Sequence, residues 1–418
     1  MLELTVDRPA QGGRMIARDP DTGARGAGAI VLVAGAIPGE RVRARVTERR
    51  HGVAFAETVE VIEPSPDRRE PPIDPLCGGN LFAHIAYERQ LTIKRQMLAD
   101  AFRRQARLEL AALPLITGSP ESGYRMRARL HMRGGRLGYY RERTRDVCDP
   151  TRSGQLSDAA AAVIGAASEA VASVSDAIHE IALAENTAAD TRLLHVTVAG
   201  ATAPGSLATL ARVEGVHGVS ASEIGGPVTV IGGLDALSEP MPGGVPVRRR
   251  AASFFQANRF LLGPLVSRVV DAAGEGLLAD LFAGVGVFAV EAASRGRRVV
   301  AVESDRVASG DLAENLREFE GSEAYDEPVE KFLRARALNY AFDVVIVDPP
   351  RAGLSTETRE GLIDLRPPRI VYVSCDPVTL ARDVRALIDA GYTLASLEAL
   401  DLFPNTPHVE SVAVLTLT

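Results

Sequence analysis

The stretch DLFAGVGVFAVEAA, Asp280–Ala293, reads as the end of a buried strand, a glycine turn and the start of a helix. Gly284 and Gly286 let the backbone approach a ligand beside a helix N-terminus, where unpaired N–H groups point outward. Ala289 stands where a dinucleotide fingerprint has its third glycine, so the turn alone does not choose a chemistry. The next strand, RRVVAVES, ends on Glu303, 23 positions after Asp280. An acid there suits a ribose diol, in a nicotinamide dinucleotide or in S-adenosylmethionine.

Apolar strands and helical stretches alternate on both sides of this turn. GLLADLF, RRVVAVES, FDVVIVDPP and RIVYVSCDP predict a doubly wound parallel sheet over 251–418. TLASLEALDLF and VESVAVLTLT follow without an intervening helix, which predicts a terminal antiparallel hairpin. Asp348 closes the strand of VVIVDPPRAGL, Val344–Leu354, at the carboxyl edge where such sheets bind ligands. Two prolines stiffen the chain behind it, a layout suited to gripping a planar base beside a methyl donor. Free cysteines are usually buried and apolar in role. Cys375 instead ends VYVSCDP, Val371–Pro377, on a polar, rigid turn, the position of a nucleophile. DLFPNTPHVE, Asp401–Glu410, precedes the last strand and brings Glu410 within reach of the same edge.

The remaining 250 residues divide in two. Residues 1–63 carry five alternating runs (LELTV, GRMIARD, AIVLVAG, ERVRARVTER, FAETVEVIE) with turn signals such as PDTGARGAG, which predicts an OB-like β-barrel. SPDRREPP reads as a linker. Residues 64–250 read as a mixed α+β segment, with one helix over 83–106, an alanine-rich helix over 157–182, and strands at RLLHVTVAG and GPVTVIGG.

At 418 residues, with 46% hydrophobic and 24% charged residues, the chain has room for two or three packed domains. No apolar run reaches the roughly 18 residues of a membrane span, and MLELTVDRPAQGG lacks a signal-peptide layout. The reading is a cytoplasmic, monomeric protein, no membrane partner, with Cys77, Cys148 and Cys375 reduced. Of 47 basic residues only Lys94 and Lys331 are lysines. The net charge of −7 does not advertise a polyanion binder, but Arg89–Arg145 holds 14 Lys/Arg against 4 Asp/Glu. Arg103, Arg104 and Arg107 fit a solvated helix face equally well. In YRMRARLHMRGGRLGYYRERTR, Tyr124–Arg145, strand spacing around a Gly-Gly turn predicts a hairpin with one arginine-rich face.

Six motifs, SFFQANRF (Ser253–Phe260), DLFAGVGVF, VVAVESD, VDPPRAGL, VYVSCDP and DLFPNTPHVE, occur in the order and spacing of a known family. The chain resembles the RNA uracil-5 methyltransferases. Its first segment, with AIPGERVRARV and ETVEVIEPSPDR, resembles the TRAM barrel that some members carry for RNA binding. The resemblance implies a class I methyltransferase domain using S-adenosylmethionine to make 5-methyluridine in RNA, with 23S ribosomal RNA favoured over transfer RNA. It implies that Cys375 attacks C6 of uracil and that Glu410 removes the C5 proton. Asp348 and Gln256 would hold the base or the cofactor, and Phe282, Gly284, Glu303 and Glu327 the cofactor. The hairpin residues Arg125, Arg127, Arg129, Arg133 and Arg136, with the barrel, would grip RNA.

The chain departs from the pattern in three ways. Several members hold an iron–sulfur cluster on four cysteines, three in a C-x5-C-x2-C run; here Pro71 and Asn80 replace two of them, leaving Cys77 and Cys148. No cluster is expected on two thiolates. Asp376 replaces an asparagine beside the nucleophile and would raise its pKa unless it points away or binds a donor such as Arg382. Ala283 replaces a cysteine in the glycine turn. Two other functions compete. A nicotinamide-dependent oxidoreductase explains the turn and Glu303 but leaves Asp348, Cys375 and Glu410 idle. A non-catalytic RNA-binding protein with a relict fold leaves Cys375 and Glu410 unexplained.

Overall fold

Period-two burial closes the first segment into a barrel. In the computed structural model, which describes residues 1–19, 29–71, 74–142, 144–200 and 204–418, five strands form it: β1 (Leu2–Pro9), β2 (Met15–Asp19), β3 (Ala29–Ala34), β4 (Arg41–Arg50) and β5 (Val53–Glu63). The order is β1-β2-β3-β5-β4, and β4 pairs back with β1, so no strand edge is left open. Leu4, Val6, Val31, Val33, Val42, Ala44, Ala54 and Ala56 point inward. The turn read at PDTGARGAG, residues 20–28, lies outside the described residues.

The described part of the stretch read as a linker is a clamp. Buried Glu40 accepts from the Ile37 and Ser65 amides and from Arg68 at 2.7 Å. Burial alone would raise this carboxyl, but Arg68 and the two amides outweigh it and hold it below its usual range. Helix α1 (Tyr87–Ala101) begins four residues later than the sequence implies, because Ala83, His84 and Ile85 are spent in buried turns; a π-turn, Phe102–Ala106, ends it. Strand β6 (Ile116–Thr117) follows.

A second, seven-stranded sheet has the order β13-β12-β11-β10-β7-β8-β9. Its members are β7 (Arg127–Arg133), β8 (Arg136–Tyr140), β9 (Val147–Cys148), β10 (Ile178–Glu185), β11 (Arg192–Val198), β12 (Gly218–Glu223) and β13 (Thr229–Gly233). Helix α2 (Asp158–Ala170) covers one face, capped by Ser157, and a single turn, α3 (Pro204–Leu207), lies between β11 and β12. The alanine-rich helix therefore stops at 170. Residues 178–182, read from sequence as its continuation, belong instead to β10, Ile178–Glu185, where pairing with β7 and β11 on both sides overrides the helical pattern.

Strands β14 (Leu237–Glu239) and β15 (Val247–Arg249) form a ribbon, and then the eight-stranded sheet begins. Its order is β18-β17-β16-β19-β20-β22-β21-β6. The strands are β16 (Leu278–Leu281), β17 (Val299–Glu303), β18 (Glu323–Asp326), β19 (Val344–Val347), β20 (Arg369–Ser374), β21 (Tyr392–Leu400) and β22 (Glu410–Leu417). β16 to β20 run parallel, while β22 is antiparallel to both β20 and β21. Val344 and Ile346 pack on one face with α4 (Leu262–Ala273), α5 (Val287–Ser294) and α6 (Arg306–Leu316). Val345 and Val347 pack on the other with α7 (Val329–Ala335), α8 (Thr356–Leu365) and α9 (Pro377–Asp389). Both faces are dry, so the strands read as unbroken apolar runs. Sequence reading missed β18 and β6; the latter brings residues of the middle segment to the rim of the eight-stranded sheet. Among the described residues no helix is long and apolar enough to cross a membrane.

One expectation is overturned here. Cys77 and Cys148 are joined in a disulfide, with Cα atoms 5.8 Å apart, and do not stay reduced; Cys375 is the free cysteine. Pairing of Tyr139 with Cys148, and of Cys77 with Arg141, carries the two sulfurs together across 71 residues of chain. Thiol labelling of the native protein is expected to modify Cys375 alone, and non-reducing peptide mapping to recover a Cys77–Cys148 crosslink. Reduction should lower stability by about 2–4 kcal/mol, read as a fall in Tm; three labelled cysteines in the untreated protein would contradict the pairing.

Candidate active site

The glycine turn is rigid because acids hold its amides. Asp280 accepts from the Ala289 amide at 3.0 Å, and Glu303 accepts from Gly284 at 2.8 Å, Ser304 at 2.7 Å and Asp305 at 2.6 Å. Phe282 and Gly286 both sit at positive φ, 63° and 93°. A Cβ on Gly286 would lie 2.7 Å from Leu312, so glycine is needed where the turn meets α6. A Cβ on Gly284 would meet nothing within 4 Å, because that side opens on a cavity of about 530 Å³.

Sheet register delivers the reactive groups to the same cavity. Leu281 pairs with Val347 and Val347 with Tyr372, which sets Phe282 and Asp348 side by side at the carboxyl edge. Ser374 pairs with Ser411, so the next step along the antiparallel ladder sets Cys375 opposite Glu410. Gln256 donates to Asp348 at 3.2 Å. Burial pushes Asp348 up to about 7 against that hydrogen bond. Burial, then the neighbouring Asp348, drives Glu410 well above the carboxylate range, with Arg351 opposing. The Cys375 thiol is pushed up to about 12, first by burial and then by Glu410, with smaller pushes from Asp348 and Asp376 and opposition from Arg351.

Asp376 turns out to be a helix cap. Its carboxylate accepts from the Val378 and Thr379 amides at 2.9 and 3.0 Å and opens α9, and its effect on the thiol is the smallest of those acting. Arg382 is not its partner, as the sequence reading had allowed; that guanidinium binds Asp383 and the carbonyls of Ala352 and Leu354.

Gln256, Phe282, Gly284, Glu303, Asp348, Cys375 and Glu410 all line the cavity. Glu327 does not: Lys331 at 2.9 Å and Arg336 at 2.8 Å hold its carboxylate away from the lining. Sequence reasoning missed Phe254, Arg351 and Phe403, which also line it. Each sits inside a motif already singled out, but which face of a loop looks inward has no signal in the residue order. Phe254 is 59% exposed at the mouth, with the Arg127 guanidinium 5.2 Å above its ring.

The hairpin has the alternation its sequence implies. Ala128, Leu130 and Met132 face the core, while Arg127, Arg129, His131 and Arg133 share the outer face. Arg129 pairs with Glu180 at 3.1 Å, Arg133 donates to the Tyr140 hydroxyl at 2.8 Å, and Tyr140 stacks on His131 at 3.9 Å. Arg136 is exposed at the turn, while Arg125 is tied inward to Gln155 at 2.8 Å. The cysteines do not fit an iron–sulfur cluster: Pro71 and Asn80 offer no thiolate, and Cys77 and Cys148 are consumed by their disulfide.

A sequence model of the tRNA (Uracil-5-)-methyltransferase family matches residues 245–417, and one of the TRAM domain matches residues 1–59. The chain is 33% identical to a 23S rRNA (uracil(1939)-C(5))-methyltransferase of Bordetella pertussis, over 93% of this chain and 88% of that protein. It is 30% identical to an uncharacterized RNA methyltransferase of Thermosynechococcus vestitus, over 99% of this chain and 98% of that one. Among solved structures, a Pyrococcus abyssi tRNA (uracil-54, C5)-methyltransferase in complex with S-adenosyl-L-homocysteine superposes with a TM-score of 0.75 at 25% identity, covering 99% of this chain and all of that one.

The electrostatics set a pH dependence. Alkylation of Cys375 in the free protein should be slow at neutral pH and climb about tenfold per pH unit past pH 9, since only the thiolate reacts. Glu410→Gln removes the leading negative neighbour and should shift the profile to lower pH; Arg351→Gln should shift it higher. A thiol that titrates near its ordinary value, unmoved by either change, would refute the arrangement.

Proposed function

The chain belongs to the RNA (uracil-5-)methyltransferase family, and on that premise we propose that it methylates C5 of a uridine in RNA through a covalent adduct on Cys375. The observation that carries this reading is the register that sets Cys375 opposite Glu410, beside Asp348 and Gln256, in one cavity.

C5 of uracil is a weak nucleophile. Cys375, its proton lost to solvent, adds sulfur to C6, and the C5–C6 π electrons move onto O4 as an enolate. S-adenosylmethionine supplies the methyl group as an electrophilic sulfonium when bound. The open side of Gly284, the Phe282 ring and the Glu303 carboxylate are the groups that suit its adenosine part. Glu410 then takes the proton from C5; the C–H electrons restore the double bond and expel the Cys375 thiolate, and the proton passes on to solvent. Ionised Asp348 accepts the N3–H of uracil, which cytosine lacks, and Gln256 donates to a ring carbonyl. The target atoms lie inside a base stack, so the uridine must be flipped or looped out, and exposed Phe254 offers it a ring to stack on. The barrel and the outer hairpin face supply the phosphate contacts. Likeness over most of the chain to proteins named for 23S ribosomal RNA supports that class of substrate over transfer RNA.

Denaturing electrophoresis with 5-fluorouridine RNA tests the chemistry, because fluorine at C5 cannot leave as a proton and the adduct stalls. Wild type should be trapped and Cys375→Ala should not. Glu410→Gln should lose about 10²–10⁴-fold in turnover while adduct accumulates on ordinary RNA. Equal activity in Cys375→Ala would sink the mechanism. Deleting the gene and mapping 5-methyluridine in total RNA identifies the substrate; loss at a transfer RNA site alone would overturn the ribosomal assignment. Arg129→Ala with Arg133→Ala should flatten the salt dependence of RNA binding by about 1.4 in log–log slope for a single strand, and an unchanged slope would remove the hairpin from the interface.

A further inference from the structure

Glu410 is delivered by a loop whose internal hydrogen bonds are a turn from Phe403 to Thr406 and a Thr406–His408 contact. Residues 401–409 form neither helix nor strand, yet Phe403 lines the cavity and the loop ends on Glu410. From outside it is held by one face of α1, and also by Thr117 at Asp401, Asn258 at Leu402 and Phe82 at Asn405. Lys94 Nζ donates to Asp401 Oδ1 at 2.5 Å and to the Phe403 carbonyl at 3.0 Å, with both side chains fully buried. One helical turn earlier, Gln90 accepts from the Asn405 amide and donates to its Oδ1, both at 2.9 Å. Asn405 sits at φ 63° and also receives Arg69 at 2.9 Å, so this turn is fixed on several sides.

Composition sharpens the point. Arginine fills every basic position but two, and of the two lysines Lys331 is a surface residue, 64% exposed. Lys94 is enclosed where a compact ammonium with three rotatable donors reaches Asp401 Oδ1 and the Phe403 carbonyl together. A buried ion pair is a poor stabiliser compared with apolar packing. Its geometry is what an apolar pair would not supply: a hydrogen bond to the backbone of the very residue that enters the cavity.

We propose that Lys94 is a positioning residue for Glu410: it fixes the Asp401–Phe403 end of the loop, and through the loop the carboxylate that must meet the C5 proton. Lys94 touches no reacting atom. The proposal rests on the reading of Cys375 as nucleophile and Glu410 as base. It also gives α1 a double attachment, since Ile93 and Met97 on a neighbouring face of the helix belong to the barrel core.

The test separates attack from proton removal in Lys94→Met. Trapping on 5-fluorouridine RNA requires Cys375 but not Glu410, whereas turnover on ordinary RNA requires both. The expected result is fluorouridine trapping within about twofold of wild type, turnover lower by on the order of 10²-fold, and adduct accumulating on ordinary RNA. Unchanged turnover, or trapping and turnover falling together, overturns the proposal. Should Lys94→Met not fold, Lys94→Met with Asp401→Leu removes both buried charges and is read the same way. A wild-type protein that forms no fluorouridine adduct refutes the underlying mechanism, and this inference with it; a wild type that traps while the variant loses both steps refutes this inference alone.

Discussion

The site depends on one strand running the other way. β22 lies antiparallel between β20 and β21, and its first residue, Glu410, falls opposite the residue that follows β20. Backbone hydrogen bonds thus fix the spacing between thiol and carboxylate before any side chain is chosen. Because successive residues alternate faces, a slip of one residue would turn Glu410 away from the cavity and put Ser411 in its place. The parallel half of the sheet delivers Phe282 and Asp348 by the same means. Only the connecting loops need further restraint.

The cavity is electrostatically unsettled. Burial raises Asp348 and Glu410 in the lining, and Asp280 within β16, each further from ionisation than an exposed carboxyl, with Arg351 the cation among the lining residues. A cationic ligand reverses this balance by favouring the ionised forms of the carboxyls and the thiol together. The sulfonium of S-adenosylmethionine carries that charge, and the product formed on losing its methyl group does not.

Much of this was readable in residue order. Glu303, Asp348, Cys375 and Glu410 are each legible as the last or first polar residue beside an apolar run, because strand ends are where a doubly wound sheet places ligands. Features set by distant contacts were not legible. The strand Ile178–Glu185 follows an alanine-rich helix and declares itself only through its neighbours β7 and β11. Asp376 looked like a threat to the thiol because adjacency in sequence says nothing of direction; the N-terminus of α9 claims its carboxylate. Glu327 looked like a cofactor ligand until Lys331 and Arg336 were seen to hold it. The disulfide joins residues 71 positions apart, and no local pattern encodes such a distance.

β6 contributes two residues to the catalytic sheet, and they cover one end of β21, at the edge opposite β18. Ile116 and Thr117 pair with Ala399 and Leu400, and Arg268 reaches across to Thr117 at 3.2 Å. Without them the Ala399–Leu400 end of β21 would lose its partner on that side and lengthen the edge open to another strand. The boundary suggested by motif content, near residue 250, is therefore not a boundary of the sheet. A fragment starting there would carry every cavity-lining residue and lose the strand paired with the end of β21. Inheritance of this enzyme as a portable module must include the stretch around residue 116, whereas the closed barrel at the other end leaves no such debt.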